Sequence, residues 1–305
     1  MRGRLSRELR RSRNQRLRAA NPLDRWLWGC SLEHDGLTAS VAQQTVAIPF
    51  NDIENSERIL SAAGCDLAAA LIDLLPSRAG LVQITPEYLA YLRRWTSARS
   101  ALLISDEVLS FRLGYTGAFG ESSIKPDITA FGKIIGGGLP IGAVAGGSDV
   151  MKVFAPLGKR PHVAHSGTFT ANPMTMVAGL AAMAAMTKDE FRRINQVGDD
   201  ARRVLADAFR SAGVTGAVTG TGSLFRIFIG AGKISSYTDA HLASRHSATL
   251  GDVIRHMRDR GGLISQVGLG AISTPMTPTD IGMLAARRPA RGGPQIPCEK
   301  RGRSR

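Results

Sequence analysis

The chain has 305 residues, 43% of them hydrophobic, and a net charge of +14. That length can hold two domains and a sizeable core, and no apolar run reaches the roughly 18–20 residues of a membrane span, so no membrane partner is expected. The charge does not mark a nucleic-acid binder. Residues 1–18 hold eight arginines against Glu8, residues 287–305 hold six arginines and Lys300 against Glu299, and these two ends carry 13 of the 14 net charges. A nucleic-acid domain carries its basic stripe on the folded body, with aromatic stacking partners. Here the basic ends lack aromatics and the body is near neutral, so residues 1–37 and 287–305 are expected to be disordered segments without a specific nucleic-acid partner. The N-terminal arm is Arg-rich like a transit peptide, but Glu8 and Asn21-Pro22-Leu23-Asp24 break that pattern. Cys30, Cys65 and Cys298 are odd in number and far apart, which suits a reducing compartment and a cytoplasmic location.

Residues 46–50 (VAIPF) read as a short strand, with Pro49 putting its end at a sheet edge. Asn51-Asp52 opens a helix carrying Ile53, Ile59 and Leu60. Residues 67–75 (LAAALIDLL), broken only by Asp73, suit a strand buried on both faces. Thr85-Pro86-Glu87 starts a helix running to about Ala98, with Thr85 as cap and Pro86 at the first helical position. A second apolar run, 101–105, completes a βαβ unit, so a parallel sheet is expected. Ile128–Phe131 and Gly142–Ala145 look like two more short strands around a glycine loop.

Asn172-Pro173 caps a helix over 174–186, which reads as a buried helix because it is so rich in alanine and methionine. Glu190–Ala212 is another helix. Over 213–230 the period moves towards two, followed by a helix at 249–260, a strand at 263–265 and a last helix near Pro278. The fold class expected is α/β. A partial parallel-sheet domain would occupy residues 38–187, and a C-terminal α+β domain residues 188–286.

The chemistry concentrates in residues 101–147. One apolar run ends at Asp106-Glu107, and another ends at Gly132-Lys133 followed by Gly136-Gly137-Gly138. Open α/β sheets present reactive groups at the carboxyl ends of their strands. A lysine in an apolar setting has its ammonium disfavoured, as imine formation requires. A phosphate-binding P-loop fails on order, because its glycines precede the lysine and a hydroxyl follows it, whereas Ile134 follows Lys133 here. Asp106 and Glu107 also admit a solvent-facing pair, a helix cap or a hydrolase carboxylate pair. His162 and His165 show no zinc signature, and no metal site is expected. Residues 165–170 (HSGTFT) before a helix N-terminus suit phosphate or plain capping equally.

Taken together, DEV at 106–108, KPD at 125–127, FGKIIGGGLPIGAVAGG at 131–147 and SGTFTANPMTMVAGLAAM at 166–183 resemble the class III aminotransferases. These are pyridoxal-phosphate enzymes of fold type I, and the likeness is nearest to the glutamate-1-semialdehyde aminomutase-like branch. It runs from about residue 38 to about 285 and includes PFNDIE, GTGSLF and STPMTPTDI. The resemblance implies that Lys133 binds pyridoxal phosphate as a Schiff base and later moves a proton on the substrate carbon. Asp106 would pair with the pyridine nitrogen and make the ring an electron sink. Val108 would pack on the ring. Thr168 would bind the cofactor phosphate of the neighbouring subunit, giving a homodimer with a shared site. The partners implied are a small-molecule amino donor and a carbonyl acceptor.

Two departures from the family pattern qualify these expectations. The Ser-Gly-Thr-type phosphate loop and the ring-stacking aromatic of the family's N-terminal half have no counterpart in residues 1–33. The chain therefore resembles the C-terminal part of such an enzyme, with weakened cofactor binding, or at the limit an inactive fragment that keeps the fold and dimer contacts. The gating glutamate of the aminomutase falls near Gly268, which favours an aminotransferase over aminomutase activity.

Overall fold

The computed structural model describes residues 44–63, 67–155, 161–244 and 247–285. The readings made for residues 1–37 and 287–305 lie outside them. The chain divides into two compact units, Met1–Leu67 and Ala68–Arg305. In the first, α1 (Ile53–Ala63) starts where Asp52 accepts the Asn55 amide at 3.0 Å, as the Asn51-Asp52 signal predicts. Residues 46–50 lie outside any strand, contrary to expectation. The Pro49 carbonyl instead accepts the Ser56 hydroxyl at 3.1 Å, which ties this stretch to the helix.

The second unit contains two sheets. The first has the order β1 (Ala69–Ile72), β2 (Leu102–Asp106), β3 (Ile128–Gly132), β4 (Gly142–Gly146). β1, β2 and β3 are parallel, in the registers Ile72 opposite Ser105 and Asp106 opposite Ala130, and β4 runs antiparallel to β3. The expected βαβ unit is present, with α2 (Pro86–Ala98) as its crossover. Thr85 caps α2 by accepting the Tyr88 amide at 3.2 Å, and Leu89, Leu92 and Trp95 form its buried stripe. β1 is shorter than the apolar run suggests and is not buried on both faces, since Leu71 is 67% exposed. Asp73 ends it. Its carboxylate takes the Leu75 amide at 2.8 Å, which turns the chain before Leu74 and Leu75 can join the ladder.

The short α3 (Ser148–Met151) follows β4, and the 3₁₀ turn Lys133–Gly136, which links β3 to the glycine triplet, sits on α4 (Pro173–Ala185). This contact is backbone on backbone. A Cβ at Gly179 would overlap the Ile135 carbonyl, and one at Gly137 would overlap that of Ala178. Asn172 caps α4 as expected, accepting the Met174 amide at 3.0 Å. The expectation that α4 is buried fails. Only Thr175 and Gly179 are buried, while Met174, Val177 and Leu180 face solvent. The helix turns its small residues inward, where close approach is required, and its large apolar ones outward.

A second core lies under α5 (Lys188–Ala212), capped by Thr187 and closed by Gly213 in the left-handed conformation. Phe191, Ile194, Val197, Ala201 and Leu205 pack with Phe225, Ile227 and Ile272. The second sheet is antiparallel, in the order β5 (Gly216–Thr219), β6 (Leu224–Ile229), β7 (Leu269–Ala271), and β6 is buried along its whole length. Around it lie α6 (Tyr237–Ala243), α7 (Ser247–Arg258) and α8 (Pro278–Ala285). The strand expected at 263–265 is absent. Ser265 forms a turn, accepting the Gly268 amide at 2.9 Å, and pairing begins only at Leu269.

Three arginines, Arg226 buried and Arg112 and Arg202 half-buried, join these parts through neutral groups. Arg112 donates to Ser223 Oγ at 3.0 Å and to the Ile272 carbonyl, Arg226 to the Ser77 carbonyl at 2.6 Å, and Arg202 to those of Gly222 and Leu224. Burial pushes each guanidinium down from its ordinary value.

The glycine contact predicts opposite outcomes for one substitution at two sites. Gly179→Ala should lower stability by roughly 1–3 kcal/mol through overpacking against backbone. Gly251→Ala, in α7 with open space around it, should raise stability by roughly 0.5–1 kcal/mol. Chemical denaturation of both variants checks the contrast.

Candidate active site

Along three neighbouring parallel strands, Asp73 stands one residue past β1, Asp106 closes β2, and Lys133 stands one residue past β3. Adjacent strands lie about 4.8 Å apart; Ile72 pairs with Ser105 and Asp106 with Ala130, so Lys133 stands three residues further along than the partner of Asp106. Asp106 is half-buried, and its Oδ1 accepts the Val108 amide at 3.0 Å. Its Oδ2 hydrogen-bonds nothing among the described residues and stays open to a ligand donor. Lys133 has φ +50°, a left-handed conformation that side chains rarely adopt, at a cost of about 1–3 kcal/mol. Such strain at a strand end points to a functional position. Lys133 is exposed, so the apolar setting expected for it is not what surrounds it. The residue stands beyond the last ladder pair, Gly132 with Gly142, where the sheet no longer covers it.

Val108 belongs to the same corner. A Cβ at Gly132 would come within 3.2 Å of Val108 Cγ1, so the loop after β2 packs directly against the residue before the lysine. Thr168 stands in the segment between β4 and α4. It lies on an exposed turn ahead of α4, held by the Thr170 amide donating to the Gly167 carbonyl at 3.0 Å.

The two carboxylates of the DEV motif differ in surroundings. Glu107 is only 2% exposed and accepts the amides of Ala118 at 2.7 Å and Phe119 at 3.1 Å. It anchors a loop, and Gly117 leaves room for it, since a Cβ there would strike the carboxylate. Burial pushes the Glu107 carboxyl up, partly offset by these two amides. Only Asp106 is available to a ligand. KPD is likewise a structural motif. Asp127 pairs with Arg93 of α2 at 2.9 Å and accepts the Leu103 amide at 2.7 Å, which sets β3 against β2.

Asp73 is the site residue that sequence reasoning missed, although its signal was visible as the one charge interrupting an apolar strand. Burial pushes its carboxyl up to about 6; the Leu75 amide opposes this, the negative charge of Asp106 adds to it, and Lys133 opposes it.

Parallel strands with an amine and an open carboxylate at their carboxyl ends make an α/β arrangement of the kind that holds ligands there. The chain belongs to the class-III aminotransferase family, whose model matches residues 34–278. It is 35% identical to the glutamate-1-semialdehyde 2,1-aminomutase of Aeropyrum pernix over 244 residues, 78% of this chain and 55% of that protein. Its fold is similar to an omega-transaminase from Sphaerobacter thermophilus (TM-score 0.78, 41% identity, 83% of this chain and 58% of that one). It is also similar to a transaminase with PLP bound (TM-score 0.74, 39% identity, 83% and 58%). The chain spans about half the length of the curated relatives it matches.

The Asp73 environment gives a pH test. A carboxyl raised from 3.8 to about 6 adds stability at low pH that is lost as pH rises through about 6. The stability of Asp73→Asn minus that of the wild type should therefore grow more positive between about pH 4 and about pH 7. Urea titrations at the two ends of that window measure the difference.

Proposed function

We propose that the chain carries the lysine–aspartate part of a pyridoxal-phosphate site and moves an amino group from a small-molecule amino donor to a carbonyl acceptor. The observation that carries this is the placement of Lys133 and Asp106 at the ends of adjacent strands, with Val108 packed between their loops. The donor set fits the cofactor: an accessible primary amine suits its aldehyde, and an open carboxylate oxygen suits its ring nitrogen. When bound, pyridoxal phosphate supplies an aldehyde for amine condensation and a ring that delocalises electrons from the substrate carbon.

The chain's own groups then have distinct tasks. Lys133 Nζ holds the cofactor and, when displaced by a substrate amine, takes and returns the proton at the substrate carbon. Asp106 keeps the proton on the ring nitrogen by opposite charge. Val108 gives the ring an apolar wall. Thr168 donates its hydroxyl to the phosphate across a subunit boundary, which accords with its exposure on the turn ahead of α4.

A homodimer is part of this reading. The outward face of α4, with Val177 and Leu180 exposed, is a surface that a second copy would cover. We divide the chain into a large domain, 38–187, and a small domain, 188–286, on the support of the two separate sheets. We place it in the cytoplasm on its scattered cysteines. Among the described residues, no helix is long and apolar enough to cross a membrane.

The relatives named aminomutase favour a second reading, internal amine transfer. Gly268 weighs against it. Its φ of +76° and the Ile227 carbonyl, 2.6 Å from any Cβ placed there, leave no room for a gating side chain at that position.

The direct test is capture of the cofactor. Pyridoxal phosphate followed by borohydride should label Lys133 in the wild-type chain. Lys133→Ala should lose the label and the accompanying absorbance band. No label at millimolar cofactor would refute the reading. For the dimer, light scattering should give twice the chain mass for the wild type and the monomer mass for Val177→Asp/Leu180→Asp.

A further inference from the structure

α7, the loop that follows it, the chain after β7 and α8 enclose a cavity of about 360 Å³. That lies within the range of small-molecule pockets, about 300–1,000 Å³. The floor is apolar. Phe225, Met257, Ile264, Ile272 and Ile281 border this space, and each is at most 8% exposed. The walls are held in place by backbone bonds. The amides of Gly261 and Gly262 end α7 on the Arg258 and Met257 carbonyls, both at 2.9 Å. Opposite them, Arg193 of α5 donates to the Thr274 and Met276 carbonyls. Charges of both signs line the same cavity. Arg260 is half-buried and donates through Nη1 to His256 Nδ1 at 2.7 Å, which steadies the guanidinium. Asp280 accepts the Thr277 amide at 2.7 Å and the Thr277 hydroxyl at 2.8 Å, both on Oδ2. Its Oδ1 hydrogen-bonds nothing among the described residues. The Thr277 amide, and after it the hydroxyl, hold the Asp280 carboxyl below its ordinary value, so it is ionised at neutral pH.

We propose that this cavity binds a free α-amino acid with an apolar side chain: Arg260 holds its carboxylate, Asp280 its ammonium, and the apolar floor its side chain. Complementarity carries the choice. A guanidinium matches a carboxylate with paired N–H donors, and an open carboxylate oxygen matches the donors of an ammonium. A hydrocarbon without charge would leave both groups facing an apolar surface, at a desolvation cost. A small inorganic ion would leave the floor in contact with water. A zwitterion that carries a hydrocarbon side chain meets all three demands. The cavity is a separate site. Lys133, Asp106, Val108 and Thr168 are not among its lining residues, so the inference stands whether or not Lys133 holds a cofactor.

Methionines supply the readout. Met257, Met276 and Met283 border the cavity, whereas Met174, Met176 and Met183 lie on α4. The whole chain, isotope-labelled at its methionine methyl groups, is titrated with L-leucine and followed by NMR. The three cavity methyls should shift together and saturate at millimolar leucine. L-Alanine, whose side chain is a single methyl, should need a concentration about tenfold higher or more. Isopentylamine lacks the carboxylate of leucine and isocaproate lacks its amine, and each should bind about tenfold more weakly or worse. Asp280→Asn keeps an oxygen for Thr277. It should weaken leucine about tenfold and leave isocaproate as in the wild type. Lys133→Ala should leave the leucine shifts at the cavity unchanged, which separates this site from the strand-end corner. The ligand series needs only the wild type, so a poorly folded variant does not remove the test. Cavity methyls that do not respond to leucine would overturn the proposal. So would equal binding of leucine and either single-charge analogue, or cavity shifts that vanish in a folded Lys133→Ala.

Discussion

The close seating of the Ile135–Gly137 backbone on Gly179 of α4 fixes where Lys133 stands. Two backbones approach so nearly that neither partner admits a Cβ. Thr175 adds a hydrogen bond to the Pro140 carbonyl at 3.4 Å, which holds the far side of the same loop. With the turn held from below, and with Gly132 pinned between Val108 and the Ile141 carbonyl, Lys133 is pressed into its left-handed conformation. The glycine triplet therefore serves packing. Its resemblance to an anion-binding loop is superficial, and the failed P-loop order in the sequence already pointed that way.

Much of this was legible in the residues, and what was not has physical reasons. Helix starts were read well because capping is local. Thr85-Pro86 and Asn172-Pro173 each open a helix through one hydroxyl or amide oxygen and one ring. The parallel sheet followed from two apolar runs flanking one helix. Burial was harder to read. Apolar content told of α4 only that water is unfavourable on its large side chains, and gave no account of what would cover them. Strand length was also obscured, because a single carboxylate at Asp73 captured the amide that would have extended β1. At 263–265 the side chains suited a strand, but the Ser265 turn used the backbone groups that a ladder would have needed.

At the site, the chemical types were legible and their division of labour was not. Asp106 and Glu107 are adjacent in sequence, so a strand end points them to opposite sides. One meets the open corner, and the other meets two amides of the 117–119 loop. Nothing in the pair's composition says which is which. The distinction comes from Gly117, whose missing Cβ makes room for the Glu107 carboxylate.

The same logic separates the three bridging arginines from the strand-end corner. Arg112 follows β2 by a few residues and is a natural candidate for anion recognition, yet its donors already hold Ser223 and the Ile272 carbonyl. A guanidinium committed to carbonyls satisfies backbone groups that would otherwise be stranded between two sheets. It also carries its charge away from the strand ends. Among the described residues, the charges that act on Asp73 are those of Asp106, Lys133 and Glu107. A chain with fourteen excess positive charges thus keeps, around Asp73 and Lys133, a neighbourhood in which carboxylates outnumber amines. Because Debye screening at physiological salt acts over about 8 Å, that short-range arrangement, and not the net charge, governs what the lysine can do.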